Sequence, residues 1–403
     1  LAENFNRFNK IKFYLKFGGP AWLVMMADMD ASSTLGAAET GVTFKYNLIW
    51  FILLLIIPLY IIQELSGRIG IATSKGFGDV IRENYSKRTS VLMSFPMAIS
   101  DVVTYAIEYI GIAIGLNLIG IPIIVSLPAV YIIHLFVVSK RKYARTERIL
   151  IPISFVLILA FIIDLFLRGF IDSNPVYIKF SYSYIFMLAV NVGAVIMPFM
   201  LFFQASATAD KYKFVRNAFS MANIKNVALK SMRRETFLGA VVSELLMVIV
   251  EMVFSGIKYN GSFASAVELS GALDNVAGPF SPYLFGIGLI SAGFIALIVI
   301  SLGSAWGIVE SLGIDKKHTF KVYIIESLPA VMAGMVLPPS FLINIVLYLL
   351  VVFVFVLIGP GIILGIIGIN KDIMGNLKLS KANAIAYFFS IAFVITFGIL
   401  AII

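Results

Sequence analysis

Apolar residues along this chain come in long blocks, and the polar and basic residues are confined to the short stretches between them. Runs such as Asn47 to Leu65, Ile149 to Leu167, Phe341 to Ile358 and Ala382 to Ile402 approach or reach about 20 residues, the length at which a helix crosses the hydrocarbon of a bilayer. Eleven such spans begin near residues 18, 46, 90, 120, 149, 183, 236, 280, 318, 341 and 382. The pattern predicts an all-α integral membrane protein of about 11 transmembrane helices. Between spans, short amphipathic stretches around 76–88, 211–232 and 263–275 are expected at the membrane interface or beside a gated pathway. The basic start runs into a long segment with no A-x-A-like site, so a cleaved leader is not expected.

Two spans depart from the pattern. The first, "GGPAWLVMMADMDASSTLGAAETG" (18–41), is interrupted halfway by acids, hydroxyls and small residues. The sixth, "YSYIFMLAVNVGAVIMPFMLFFQASATAD" (182–210), has Gly193 and Pro198 about its middle. Pro198 brings no amide hydrogen and disfavours helical backbone at Met197, so a carbonyl about one turn earlier loses its partner. Both spans are predicted to be broken helices. Span one opens the first five helices and span six the next five, and breaks at corresponding positions of two halves point to an inverted 5+5 repeat with a midplane site between them. With no linker or polar domain, residues 1–403 read as one transmembrane domain: a first repeat at about 18–168, a second at about 183–370 and an extra helix at about 382–402.

Composition agrees: 60% of residues are hydrophobic, 13% are charged, and mean hydropathy is +0.98, beyond what a soluble core needs. There is no cysteine, which excludes disulfides and thiolate metal sites. A net charge of +9 would invite a nucleic-acid reading in a soluble protein, but its distribution gives another. With the N-terminus in the cytoplasm, all of the 31 Lys and Arg except Lys45, Arg168, Lys179 and Lys258 fall in cytoplasmic segments. The loops "SKRKYARTER" (139–148) and "DKYKFVRNAF" (210–219) then face the anionic inner leaflet of the plasma membrane. The lipid bilayer is the expected partner, and nucleic acid is not.

The chemistry sits in the breaks. A mid-membrane carboxylate costs roughly 2.5–3.5 kcal/mol even on the lenient insertion scale, so Asp30 needs a partner or a water-filled cavity. Unwound carbonyls, a carboxylate and the hydroxyls of Ser32 and Ser33 provide the hard oxygens a cation requires. A thioether from Met197 would add softness and favour manganese or iron over magnesium; its bland role is gap-filling packing. Asp28 would point elsewhere on an intact helix, whereas across a break both acids could line one vestibule. Asp101, Asp164, Glu244 and Glu251 read as buried hydrogen-bonding residues, His134 as an ordinary polar group of span four and His318 as a loop residue.

In these residues the chain resembles the Nramp divalent-metal transporters and their relatives. The resemblance rests on the paired breaks in spans one and six, including "GAVIMP", and on "IIQELSGRIGIATSKGFGDVIRENY" (61–85). It is clearest over 18–119 and 193–211 and continues weakly to "INKDIMG" (369–375). It implies a LeuT-type fold and, as metal ligands, Asp30, Ser33, the Ala194 carbonyl and Met197. The family's Asp-Pro-Gly-Asn corresponds to Asp30, Ala31, Ser32 and Ser33, so an amide becomes a hydroxyl; its Met-Pro-His corresponds to Met197, Pro198 and Phe199, so the histidine is lost. A shorter ligand at Ser33 suits a cation that keeps its waters, such as the magnesium carried by some Nramp-related proteins, whereas Met197 suits manganese. Glu108 matches a family acid on span three, but Tyr105 replaces its neighbouring Asp, and Asn370 and Lys371 stand where basic residues usually end span ten. With Phe199 unable to titrate, weak or absent proton coupling is expected, protons remaining a conceivable co-substrate.

Taken together, the expected activity is secondary transport of a divalent metal by alternating access, with the ion as substrate and no resident cofactor. An enzyme is not expected: neither a GxxxxGKS loop nor an HExxH motif is present, and an aspartyl dyad would normally draw its acids from two helices. The alternative is a cation-coupled amino-acid transporter of the same fold; an acid in the break disfavours it, because a substrate carboxylate would be repelled.

Overall fold

The computed structural model describes residues 13–402 apart from 15, 140–142, 220–222 and 259–265. Among the described residues there is no strand, and nine helices are long and apolar enough to cross a membrane. The shorter Ile123–Ser139 and the divided first stretch bring the spans to eleven. In order they are span one (Pro20–Asp28 and Ala31–Phe44), two (Ile49–Thr73), three (Lys87–Leu118), four (Ile123–Ser139), five (Tyr143–Arg168), six (Tyr182–Val195 and Pro198–Ala218), seven (Ile224–Phe254), eight (Ser281–Leu312), nine (Thr319–Val336), ten (Pro339–Ile369) and eleven (Lys381–Leu400). Large apolar side chains such as Ile124, Phe166, Ile325 and Phe389 are well exposed along the outer helices, as expected of surfaces that face lipid.

Both anticipated breaks are present. In span one, Met29 (φ −84°, ψ 50°) and the extended Asp30 (φ −73°, ψ −179°) leave the helix, which restarts at Ala31. Aspartate is a preferred residue at such a restart because its carboxylate accepts the free amides of the new first turn. In span six, Ile196 (φ −130°, ψ 86°) leaves the helix, Met197 is extended, and Pro198 opens the second half at a position where its missing N–H costs nothing. The interfacial stretches divide: Phe77–Asn84 is a short amphipathic helix and Ala266–Ala277 another, with 263–265 outside the described residues. The expected stretch at 211–232 is no separate element. Residues up to Ala218 continue span six and those from Ile224 begin span seven, and Tyr212, Val215, Ile224, Ala228 and Leu229 pack into one apolar cluster with Phe13, Phe17 and Ile71; 220–222 lie outside the described residues, as do 140–142 of the other basic loop.

Spans one and six form the centre. Both halves of span one pack on spans six, seven and eight, the first also on five and the second also on three and ten. Close approach depends on small residues. A Cβ added at Gly111 would lie 2.4 Å from the Ala31 Cβ, and one at Gly193 would lie 1.7 Å from the Leu350 carbonyl oxygen. Gly111 therefore brings span three onto the restart of span one, and Gly193 seats the first half of span six on span ten.

Candidate functional site

Asp30 Oδ1 accepts the Ser33 amide (2.6 Å) and the Ser32 hydroxyl (2.7 Å), closing the first turn after the break. Glu108, reaching across from span three, accepts the two amides before it, Ala31 N (2.9 Å) and Ser32 N (3.3 Å). Two carboxylates thus cap one helix start, where the free amides and the helix dipole favour negative charge. Gly111, one turn beyond Glu108, is what permits this approach.

The second break meets the first through a single bond. In a continuous helix the Ala194 carbonyl would accept from the amide of residue 198, but that residue is proline. The orphaned carbonyl oxygen instead accepts the Ser33 hydroxyl at 3.0 Å. Met197 caps the second half of span six with extended backbone, and Asp30, Ser33, Ala194 and Met197 are all fully buried. Asp30 Oδ2 has no hydrogen-bond partner, nor does Thr34 Oγ1 in the same turn. Neither Asp30 nor Glu108 joins any ion pair among the described residues. No three His, Cys, Asp or Glu side chains converge there into a metal cage; the Glu108 carboxyl lies beside that of Asp30, and the Ser33 hydroxyl and the Ala194 carbonyl are further oxygens at the break.

Asp28 belongs to a neighbouring group. Its Oδ2 accepts the Ser243 hydroxyl at 2.6 Å, and the buried Glu244 carboxyl, also on span seven, lies beside it. Phe199 is buried in the first turn after the break, its carbonyl against Gly303 of span eight. Along span three, Asp101, Tyr105 and Glu108 recur at helical spacing, all buried, with Glu326 of span nine close to the first two and bonded by Ser304 (3.2 Å). The sequence reading missed Thr34 and Glu326; a hydroxyl next to a broken helix and an acid inside an apolar run were the available signals. His134 is a structural tie: its ring nitrogens bond Ser301 Oγ (2.8 Å), Tyr109 OH (2.9 Å) and Tyr323 OH (2.8 Å).

The site is closed at both ends. On the side of the basic loops, Glu235 of span seven accepts Gly19 N (2.5 Å) and Trp22 N (3.0 Å). Lys211 of span six donates to the carbonyls of Lys16 and Gly18 (both 3.2 Å) and pairs with Glu147 of span five (2.6 Å). At the other end Asn191 donates to Thr40 Oγ1 (3.3 Å), and Gly41 packs on the Glu251 carbonyl.

An all-helical multi-pass membrane protein, closed around two facing helix breaks, has the LeuT-type fold. Its backbone superposes on the manganese transporter of Eremococcus coleocola with a TM-score of 0.81 at 16% identity, covering 98% of this chain and 87% of that one. On Mhp1, a nucleobase-cation-symport-1 family transporter, the score is 0.61 at 12% identity, covering 96% and 90%. The chain belongs to the Nramp family: the description "Natural resistance-associated macrophage protein-like" matches residues 21–403. Among its relatives, the divalent metal cation transporter MntH of Levilactobacillus brevis is 26% identical over 69% of this chain and 64% of its own length. MntH of Staphylococcus haemolyticus is 27% identical over 70% and 66%, so the aligned region spans slightly less than two thirds of these relatives.

Proposed function

We propose that this protein is a secondary transporter moving a divalent metal cation across the plasma membrane by alternating access. The observation that carries the reading is the fully buried Asp30 Oδ2 without a donor, next to a carbonyl that Pro198 has released from its helix. A carboxylate in that setting, with no basic partner, calls for a positive charge to offset its desolvation. The ligands are Asp30, Ser33 Oγ, the Ala194 carbonyl and the Met197 sulfur; Ser32 holds the Asp30 carboxylate and Asp28 lines the approach. Met197 places manganese or iron ahead of magnesium, and the short reach of Ser33 leaves room for a retained water. A substrate with its own carboxylate would face Asp30 and Glu108 together, which disfavours the amino-acid alternative.

Transport follows from the breaks as hinges. Release of Gly19 and Trp22 by Glu235, and of the Lys16 and Gly18 carbonyls by Lys211, would free the first half of span one and open the site toward the basic loops. Separation of Thr40 from Asn191 would open the other end. The membrane potential contributes about 2.3 kcal/mol per charge per 100 mV to inward movement of a cation when the N-terminus is cytoplasmic. The chemistry needs no resident cofactor and no bond is made or broken, so the role is that of a transporter and not of an enzyme. Glu108 is the proton-linked candidate, and with Tyr105 and Phe199 beside it coupling is weak or absent. Calorimetry with manganese and magnesium on the wild type and Asp30→Ala tests the site: saturable manganese binding lost in the variant is expected, and equal binding by both proteins would sink it.

A further inference from the structure

A cavity of about 320 Å³ opens between spans two, seven and eleven, at the end of the bundle where the basic loops gather, away from the helix breaks. Its wall carries an unbalanced ion cluster. The buried Glu64 carboxylate takes Arg68 through Nε and Nη2 (3.1 and 2.8 Å to Oε1) and also Arg233 Nε (2.6 Å). Two guanidiniums on one carboxylate leave one positive charge. Arg68 Nη1 reaches only the Leu377 carbonyl, at 3.4 Å, and Arg233 spends its Nε on Glu64 while its terminal nitrogens, on a side chain 38% exposed, make no hydrogen bond among the described residues. Tyr60, Asn383 and Tyr387 add polar groups to the lining, and Ile61, Leu379 and Ala386 complete it with apolar ones. Lys230, Arg234, Lys378 and Lys381 lie within three residues of lining positions, as does one further acid, Glu235, whose carboxylate is turned to Gly19 N and Trp22 N.

The outward walls are apolar in a consistent direction. Span two runs toward this end, and spans seven and eleven run away from it. On each, an exposed apolar residue stands about one turn deeper in the membrane than the cavity: Ile57 (55% exposed), Phe237 (49%) and Phe389 (72%). Tyr60 and Phe237 meet edge to face at 5.6 Å, bridging spans two and seven. A guanidinium fork matches phosphate oxygens, a cavity of this size holds a headgroup, and apolar tracks leading from it toward the bilayer centre suit acyl chains. Basic pockets between helices at the inner interface are where anionic headgroups are recognised.

We propose that this cavity binds the phosphate of an anionic phospholipid, with Arg233 and Arg68 on the headgroup and the acyl chains along Ile57, Phe237 and Phe389. The lipid would fasten span eleven to spans two and seven. A free phosphate shares the headgroup chemistry but has no use for the apolar tracks.

The test is native mass spectrometry of the full chain in detergent, titrated with phosphatidylglycerol or with phosphatidylcholine of the same acyl chains. One phosphatidylglycerol should bind at least about tenfold more tightly than phosphatidylcholine. Arg233→Gln should remove that preference. Ala386→Phe, which fills the cavity and leaves every charge in place, should lower phosphatidylglycerol affinity similarly, so the outcome does not hang on the folding of one variant. Equal affinity for both lipids, or a phosphatidylglycerol affinity unmoved by either substitution, would overturn the proposal. Displacement of the lipid by equimolar inorganic phosphate would assign the cavity to the free anion and overturn the lipid reading.

Discussion

The two oxygens of Asp30 are differently placed: Oδ1 closes the turn after the break through Ser32 and Ser33, and Oδ2, buried without a hydrogen-bond partner, is the oxygen proposed to meet the cation. Asp30→Asn preserves an acceptor for the turn but removes the charge, so the fold should persist while manganese uptake into proteoliposomes falls by at least about a hundredfold, a loss of roughly 2.7 kcal/mol or more. Ser33→Ala severs the bond to the Ala194 carbonyl, and its manganese Kd should rise roughly tenfold, about 1.4 kcal/mol. Met197→Ala separates the candidate ions: manganese affinity drops and magnesium affinity holds if sulfur is a ligand; parallel changes in both would return Met197 to packing. Glu108 is held by the amides of Ala31 and Ser32 and has Tyr105 one turn away on span three. Uptake should therefore proceed without an inward pH gradient, and Glu108→Gln should change its pH profile little; a strict requirement for the gradient would contradict weak coupling.

At the scale of helices, a proline alone does not make a break. Pro58, Pro96, Pro128, Pro152, Pro329 and Pro360 all lie inside continuous helices, yet Pro198 opens a new one. The difference lies in the surroundings: at Pro198 the released carbonyl finds the Ser33 hydroxyl, and Gly193 lets the preceding half settle against Leu350. Pro198→Ala restores an amide that can bond Ala194, so it should straighten span six, keep or raise thermal stability and abolish metal binding; calorimetry beside a melting curve reads both. Gly111→Leu should act oppositely, driving span three from Ala31, costing about 1–3 kcal/mol from overpacking and lowering the melting temperature.

For the whole molecule, the closure at the basic end depends on Glu235, Lys211 and Glu147, drawn from three spans and holding the start of a fourth. Removing one partner leaves the other charge buried and uncompensated, which shifts the balance toward the open form. Because the chain contains no cysteine, Ala27→Cys supplies a unique thiol in the buried first half of span one. Lys211→Ala in that background should raise its labelling rate by a polar thiol reagent about tenfold or more; unchanged labelling would mean that Lys211 does not hold the site closed.

Much was legible from order along the chain, because the bilayer makes each span satisfy its own backbone and so write its length into hydropathy. The eleven spans, the breaks at Asp30 and Pro198 and the orphaned carbonyl one turn before Pro198 all follow from local rules of helix formation. What only the tertiary structure decided are meetings between distant residues: Glu108 capping a turn 77 positions earlier, Ser33 taking the Ala194 carbonyl across 161, and Asp28 engaged by Ser243 of span seven across 215. Arg233 joining the Glu64 and Arg68 pair to leave a charged cavity is of the same kind. Hydropathy reports that a helix is buried; which face meets which neighbour is set by small residues such as Gly111 and Gly193, whose effect appears only when two helices touch.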